Sequence, residues 1–381
     1  MALLTRREWL AAGGTAVTAA CARKSEAGFR GYALIATAAE ESVTVVDLAE
    51  FRVTKQVAVG GSPQAIVAGG QDDASYVLTP RTGSVHILDR HFNQVNSRKI
   101  ADALSGLRLM AGGKHLMAIT GHSCELIEID ARSLAVIKRW KLSAAPVALD
   151  VSSLGAIAIS TGRHGVVELI DGGRQQQRRR EFAAPLGEVR FRADGKLLIA
   201  ANCREQMLTG LDVPGLETVV DLPLAMQPQN LCFNSDGGQL FVTGTGMDGV
   251  AIAFPYVPLE VEQTVLAGRD PGVMACSSNP AYLFVASASG SDVCILDITT
   301  RKVIGIVEVG QRPCFVAITP DNQYALVLNE NSGDMAIIRI APIQANTGNP
   351  AKMRQKAGAS LFTMLPVGSR PVHAAIVPAS V

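Results

Sequence analysis

Short apolar strands ending in aspartate recur along this chain. The clearest are Val43-Thr44-Val45-Val46-Asp47, Val85-His86-Ile87-Leu88-Asp89, Leu126-Ile127-Glu128-Ile129-Asp130, Val167-Glu168-Leu169-Ile170-Asp171 and Val293-Cys294-Ile295-Leu296-Asp297. A weaker copy closes on Asp212, and Pro255 and Arg339 hold the aspartate place in two more. Positions 47, 89, 130, 171, 212, 255, 297 and 339 lie 41 to 43 residues apart. A fixed period of about 40–50 residues with several short strands per unit is the signature of a β-propeller.

Each unit reads as four strands. Pro313-Cys314-Phe315-Val316-Ala317-Ile318 is a short apolar strand. Thr319-Pro320-Asp321-Asn322 is a turn, because Pro presets φ and Asp and Asn tolerate the left-handed region. Tyr324 to Asn329 is continuously apolar and reads as a strand buried on both faces. Asn331-Ser332-Gly333 turns the chain into the strand ending at Arg339, and a fourth strand leads to Gly368 and Pro371. A proline opens the unit at Pro63, Pro146, Pro185, Pro228, Pro271, Pro313 and Pro371, and Ser105 takes its slot once. Proline suits the first residue of a strand, where its missing N–H costs no ladder bond.

Eight third strands give eight blades. The first unit lacks an opening strand, and a spare one, Pro371 to Val377, stands at the other end. The fold class is therefore all-β: a single β-propeller of eight four-stranded blades, closed by the C-terminal strand completing the N-terminal blade. Closure removes the exposed edges of an open array. The composition, 48% hydrophobic and 18% charged, suits strands buried between stacked blades. No run of about 18 apolar residues marks a membrane-spanning helix.

Three segments are expected. Residues 1–21 read as an export signal, 22–30 as a short linker and 31–381 as the propeller. Thr5-Arg6-Arg7-Glu8-Trp9-Leu10 before the weakly apolar Ala11 to Ala20 is a twin-arginine pattern. Thr18-Ala19-Ala20-Cys21 reads as a lipobox that would lipidate Cys21, although Ala20-Cys21-Ala22 also fits ordinary cleavage between small residues. The expected location is outside the cytoplasm, periplasmic or held at a membrane surface by a lipid anchor alone. Without the signal the formal charge of +1 falls to about zero, which gives no case for nucleic-acid affinity.

The loops entering the opening strands surround one channel mouth. The candidate ligand-binding residues there are Arg269, Arg312, Arg370, His373, Gln229 and Asn230. Arginine presents a fork of donors to carboxylate or phosphate, so a small anionic ligand is the chemistry implied. The same arginines could instead bridge neighbouring blades. The six histidines, His86, His91, His115, His122, His164 and His373, include no metal-ligand spacing, and no metal or other cofactor is expected. His122 and His164 follow second strands one blade apart and could approach each other. Cys124, Cys203, Cys232, Cys276, Cys294 and Cys314 read as small buried hydrophobes, though export would permit disulfides. The run Gly172 to Arg180 reads as a charged outer edge strand, with contact to nucleic acid or an anionic surface as the alternative. Ala341 to Ala359 is a basic insertion of the kind that carries partner contacts. No linear catalytic motif stands out.

The chain resembles the YVTN-type propellers of bacteria and archaea. The likeness rests on Val309-Gly310-Gln311-Arg312-Pro313, Thr319-Pro320-Asp321-Asn322, Ala325-Leu326-Val327-Leu328-Asn329 and Ile295 to Ile304. It covers residues 30–380 and implies a fold, since that group includes surface-layer proteins, binding proteins and lactonase-like enzymes, mostly seven-bladed. An eight-bladed exported propeller also resembles the haem-binding domain of periplasmic nitrite reductases and their haem-maturation relatives, in which channel histidines and arginines bind. Only His373 is so placed here. The expected function is a non-enzymatic binding or scaffold module with a ligand or protein-partner site at the channel mouth. The alternative is a propeller enzyme or cofactor carrier, lactonase-like or haem-maturation-like, that holds an anionic ligand through the channel-mouth arginines.

Overall fold

The computed structural model describes residues 28–171, 176–256, 260–343 and 360–379. The expected signal with Cys21, most of the linker and most of the basic insertion lie outside the described residues. The described residues form eight four-stranded antiparallel sheets. The inner strands, in ring order, are Pro371–Pro378, Ala65–Ala68, Gly106–Leu109, Pro146–Val151, Leu186–Phe191, Gln227–Phe233, Pro271–Cys276 and Pro313–Ile318. Each touches the next, and the last touches the first, so the sheets close around a channel. These strands belong to blades 1 to 8 respectively.

The repeat aspartate has a structural job. Asp47 Oδ1 accepts the backbone N–H groups of Ala49 and Glu50 at 2.8 and 3.3 Å. Asp89 caps His91 and Asn93, Asp130 caps Arg132 and Ser133, Asp212 caps Gly215 and Glu217, and Asp297 caps Thr300. An Asx cap supplies the turn from third to outer strand with partners for its exposed N–H groups. A residue at positive φ follows within the same turns: Phe51, Phe92, Leu134, Leu216 and Arg301, at 50 to 59°.

The proline heads the strands Pro146–Val151, Pro271–Cys276, Pro313–Ile318 and Pro371–Pro378. A β-bulge follows within three residues in blades 1 and 4 to 8. A bulge leaves a backbone group unpaired and re-aims side chains. Here the freed carbonyl is taken up by the preceding blade. Ser160 Oγ donates to Gly187 O at 2.5 Å, Cys203 Sγ to Pro228 O at 2.9 Å, Thr243 Oγ1 to Gly272 O at 2.7 Å and Cys314 Sγ to Pro371 O at 3.2 Å. The device that opens each strand thus also stitches neighbouring blades.

Blade 1 closes the ring. Gly31–Thr37 pairs on one side with Ser42–Asp47 and on the other with Pro371–Pro378, in a register running from Gly31 opposite Pro378 to Thr37 opposite Pro371. The seam is reinforced from outside the ladder. Ala38 N donates to Arg370 O at 2.9 Å, Ser369 N to Glu40 Oε1 at 2.7 Å and Thr44 Oγ1 to Val367 O at 2.8 Å. Ala33, Ile35, Val46, Leu328, Ile337 and Ala374 share one buried cluster between blades 1 and 8. Phe29 joins it at 9% exposure, so packing begins ahead of the first strand.

The basic run on the blade 4 outer strand, Gln176–Glu181, grips its neighbour. Arg178 donates to Pro214 O, and Arg180 donates to Leu216 O at 3.0 Å and pairs with Glu217 at 3.6 Å. Arg178 and Arg180 are thus turned onto the blade 5 turn between its third and outer strands, which accounts for two of the run's charges structurally.

Truncation after Gly368 should be costly. It removes the whole partner strand of Gly31–Thr37 and the cover over a buried cluster. Each large aliphatic side chain so exposed costs roughly 1.5–3 kcal/mol, against a typical net stability of about 5–15 kcal/mol. The shortened chain is expected to aggregate or to melt at least about 10 °C below the parent. Calorimetry with size-exclusion chromatography checks this; a monomer melting within a degree or two of the parent contradicts the closure.

Candidate functional site: the central channel

An inner strand is an edge strand, and its channel-facing N–H groups need partners. Side chains of the preceding blade provide them. Phe191 N donates to Asp150 Oδ2 at 2.9 Å, Leu231 N to Glu188 Oε2 at 2.7 Å and Ile66 N to His373 Nδ1 at 3.3 Å. This scaffold requirement brings two carboxylates and an imidazole to the channel wall.

Because Nδ1 of His373 accepts, the proton of the neutral ring sits on Nε2 and is available as a donor. Burial, and then the charge of Arg108, push the His373 pKa down to about 4. The ring lies 4.5 Å from that of Phe315, centroid to centroid.

The carboxylates have a cationic partner. Arg190 Nε donates to Glu188 Oε1 at 2.7 Å, and its Nη1 lies 3.9 Å from Asp150 Oδ1. Burial works against the Arg190 charge, but Glu188 and Asp150 outweigh it and raise the pKa. Arg108 is different. Its guanidinium donates to Leu107 O at 3.1 Å and, among the described residues, to no carboxylate. Burial and then the charge of Arg190 lower its pKa, while Asp150 and Glu188 oppose this. The charges of blade 1 (His373) and of blades 4 and 5 (Asp150, Glu188, Arg190) all act with it. The guanidinium therefore lies over the channel with unused donors.

A recess of about 160 Å³ opens off this cluster, lined by Glu188, Arg190, Asn230, Cys232, Met274 and Phe315 among others. It combines donors, one carboxylate and an apolar wall, the usual make-up of a small-molecule site.

The residues singled out from the sequence divide between channel and mouth. His373 and Asn230 are on the channel wall, with Asn230 Nδ2 donating to Thr243 Oγ1 at 3.2 Å. Arg312 and Arg370 stand at the mouth and meet on one carboxylate: Glu330 lies 3.4 Å from Arg312 Nε and 3.3 Å from Arg370 Nη2. Both backbones are held at positive φ, 56 and 55°, directly before the opening proline. The two arginines share this one carboxylate, and the Arg370 contact also ties blade 1 to blade 8. Arg269 and Gln229 are exposed, and the Arg269 carbonyl accepts from Ser287 Oγ at 2.7 Å. His122 and His164 are exposed turn residues. Among the described residues no group of three or more His, Cys, Asp or Glu is arranged to hold a metal ion.

Arg108, Asp150, Glu188 and Arg190 were not singled out. Arg108 follows Ser105, the one unit without its proline, and the others lie three to five residues past theirs, in the bulge (Glu188) or beyond it.

No protein-family model matches the chain. A seven-bladed beta-propeller protein of Mycobacterium tuberculosis is 26% identical over 131 residues, and the chain spans about a third of that relative's length. Among solved structures, the dihydro-heme d1 dehydrogenase NirN in complex with DHE aligns with 93% of this chain and 76% of its own, at a TM-score of 0.74 and 13% identity. A candidate 6-phosphogluconolactonase of Bacteroides fragilis aligns with 84% of this chain and 99% of its own, at a TM-score of 0.57 and 17% identity. Such identities establish a shared fold. They also correct the expectation of a non-enzymatic module. Both of these propellers carry enzyme names, so the absence of a linear motif is no argument against catalysis. The physical reason is visible here: the channel groups come from different blades and leave no contiguous pattern.

The His373 environment makes stability depend on pH. Unfolded, its pKa is about 6.5; folded, it is pushed down to about 4. Between these values the unfolded chain binds a proton that the folded chain refuses. Stability is full above about pH 6.5 and falls as pH drops toward 4. Between pH 7 and 5 this one group should cost about 2 kcal/mol. His373→Gln keeps an acceptor for Ile66 N and loses the titration. Urea unfolding at the two pH values should show the parent losing about 2 kcal/mol more than the variant; parallel losses contradict the assignment.

Proposed function

We propose that this chain is a propeller enzyme whose central channel takes a small organic anion, its acidic group on Arg108 and its body against Phe315. The observation that carries the reading is the Arg108 guanidinium, held over the channel with no carboxylate bonded to it. Taking a charge of this kind out of water without a bonded counter-ion is costly, and a bound carboxylate or phosphate relieves that cost. His373 Nε2–H supplies a second donor. Arg190, already engaged by Glu188 and Asp150, adds positive potential without being free to clamp.

The size of the recess favours a metabolite-sized acid. At about 30 Å³ per water, its 160 Å³ corresponds to roughly five water molecules. The name of the B. fragilis relative, a candidate 6-phosphogluconolactonase, is consistent with a sugar-acid class of ligand. NirN, bound to DHE in its structure, supports the larger tetrapyrrole acid as the competing occupant.

The Gly-x-x-Pro and Thr-Pro-Asp-Asn units support a place among the YVTN-type propellers. The twin arginines Arg6 and Arg7 support export, with Cys21 as the lipid-bearing residue.

The test is calorimetric titration of the purified propeller with a panel running from monocarboxylates through sugar-acid phosphates to a porphyrin bearing propionates. At least one acid should bind, and Arg108→Ala should weaken it about tenfold or more, with Arg108→Lys intermediate because a point charge cannot reproduce the fork. Saturation by the porphyrin alone would assign the channel to tetrapyrroles. Equal affinity in parent and Arg108→Ala, for every acid that binds, would overturn the reading.

A further inference from the structure

Two of the six cysteines meet. Cys232 closes on Cys276 with Sγ to Sγ at 3.6 Å. They lie on the inner strands of blades 6 and 7, Gln227–Phe233 and Pro271–Cys276, 44 positions apart in sequence. Both are half-buried, and Cys232 lines the channel recess beside Arg190 and Glu188. Nothing in the fold requires this. Inner strands already touch their neighbours through apolar and backbone contacts, and the other inner-strand cysteine, Cys314, spends its thiol on the Pro371 carbonyl.

We infer that Cys232 and Cys276 are a redox pair that closes a disulfide between blades 6 and 7 by exchange with an external disulfide. Bonded sulfurs stand about 2.05 Å apart, so closing the bond needs the two sulfurs to approach by about 1.5 Å. The electrostatics assign the order of events. The hydrogen bond between the two thiols, together with the Arg190 charge, lowers the Cys232 pKa against burial, whereas the same bond and burial push Cys276 well above its ordinary value. Cys232 is the attacking thiolate and Cys276 the resolving thiol.

The chemistry balances with a low-molecular-weight disulfide as oxidant. Cys232 thiolate attacks one of its sulfurs, an S–S bond forms, and the first small thiolate leaves. That thiolate, or solvent, takes the proton of Cys276. Cys276 sulfur then attacks Cys232 sulfur and expels the second small thiolate. The two protein thiols lose two electrons and two protons, and the small disulfide is reduced to two thiols. The new bond would sit on the channel wall next to Arg190, so the oxidised and reduced forms differ at the recess itself. The inference does not depend on the anion reading, because the pair is defined without a ligand.

The experiment uses the full-length protein equilibrated with reduced and oxidised glutathione at several ratios, quenched by acid, alkylated and mapped by mass spectrometry. In the oxidising buffers more than half of the chains should carry a cross-link between the peptides containing Cys232 and Cys276, reversed by dithiothreitol. Cys294, whose thiol burial pushes up to about 12, should stay unmodified in the native protein and serves as the internal control. In Cys276→Ala the resolving step is lost, and a glutathione adduct should persist on Cys232. Parent protein whose Cys232 and Cys276 carry separate adducts, or are alkylated as free thiols at every ratio, overturns the inference, whether or not the variant folds.

Discussion

The antiparallel pairing of Gly31–Thr37 with Pro371–Pro378 is the contact on which the ring depends. The other blades are built from one continuous stretch of chain and form through local hairpins. Blade 1 is assembled from the two ends of the propeller, across a sequence separation of more than 300 residues. Loop-closure entropy grows only slowly with length, so the long connection is tolerable once a full strand's worth of bonds rewards it. The reinforcement at this seam is correspondingly dense. Thr44 holds Val367, Glu40 holds Ser369, and Arg370 reaches Glu330 on blade 8. These are the contacts that keep a linear array of blades from remaining open.

Closure creates a second constraint, inside. Eight inner strands each present an edge to the channel, and their unpaired N–H groups are the cost of lining it. Asp150, Glu188 and His373 answer it by accepting from the next blade. The scaffold therefore places acceptors in the channel whether or not a ligand is used. Carboxylates in that position need cations, and Arg190 serves both Glu188 and Asp150.

The fold was legible in the sequence because its repeating devices are chemical. The aspartates of the third strands cap turns, the prolines begin inner strands, and both recur in register with the hydrophobic pattern. The phase difference between the chain ends disclosed the closing strand. The site was much less legible. Attention to the proline flanks found His373 and Asn230 on the wall and the arginine pair on Glu330 at the mouth. It passed over Arg108, where serine replaces proline, and over Asp150, Glu188 and Arg190, which the bulges re-aim after the strand has begun. A one-residue bulge shifts which side chain faces the channel, and nothing in a period-2 reading announces it. The proximity of Cys232 and Cys276 is likewise a product of ring geometry, since their spacing is simply about one repeat.

The charge balance of the channel shows why Arg108 stands out from the other arginines. Counting charges alone, Arg108 and Arg190 are matched by Asp150 and Glu188. Hydrogen-bond capacity divides them unequally. Glu188 gives one oxygen to Leu231 N and the other to Arg190, and Asp150 gives one to Phe191 N with its other nearest to Arg190. What reaches Arg108 is unbonded attraction, against burial and the like charge of Arg190. Burial, and then the like charge of Arg108, keep the His373 imidazole neutral, so the channel keeps a donor there. A buried guanidinium with satisfied electrostatics would simply be structural. One whose counter-charges are spent on backbone groups and on another arginine keeps donors open, and it is on those donors that the proposed anion site rests.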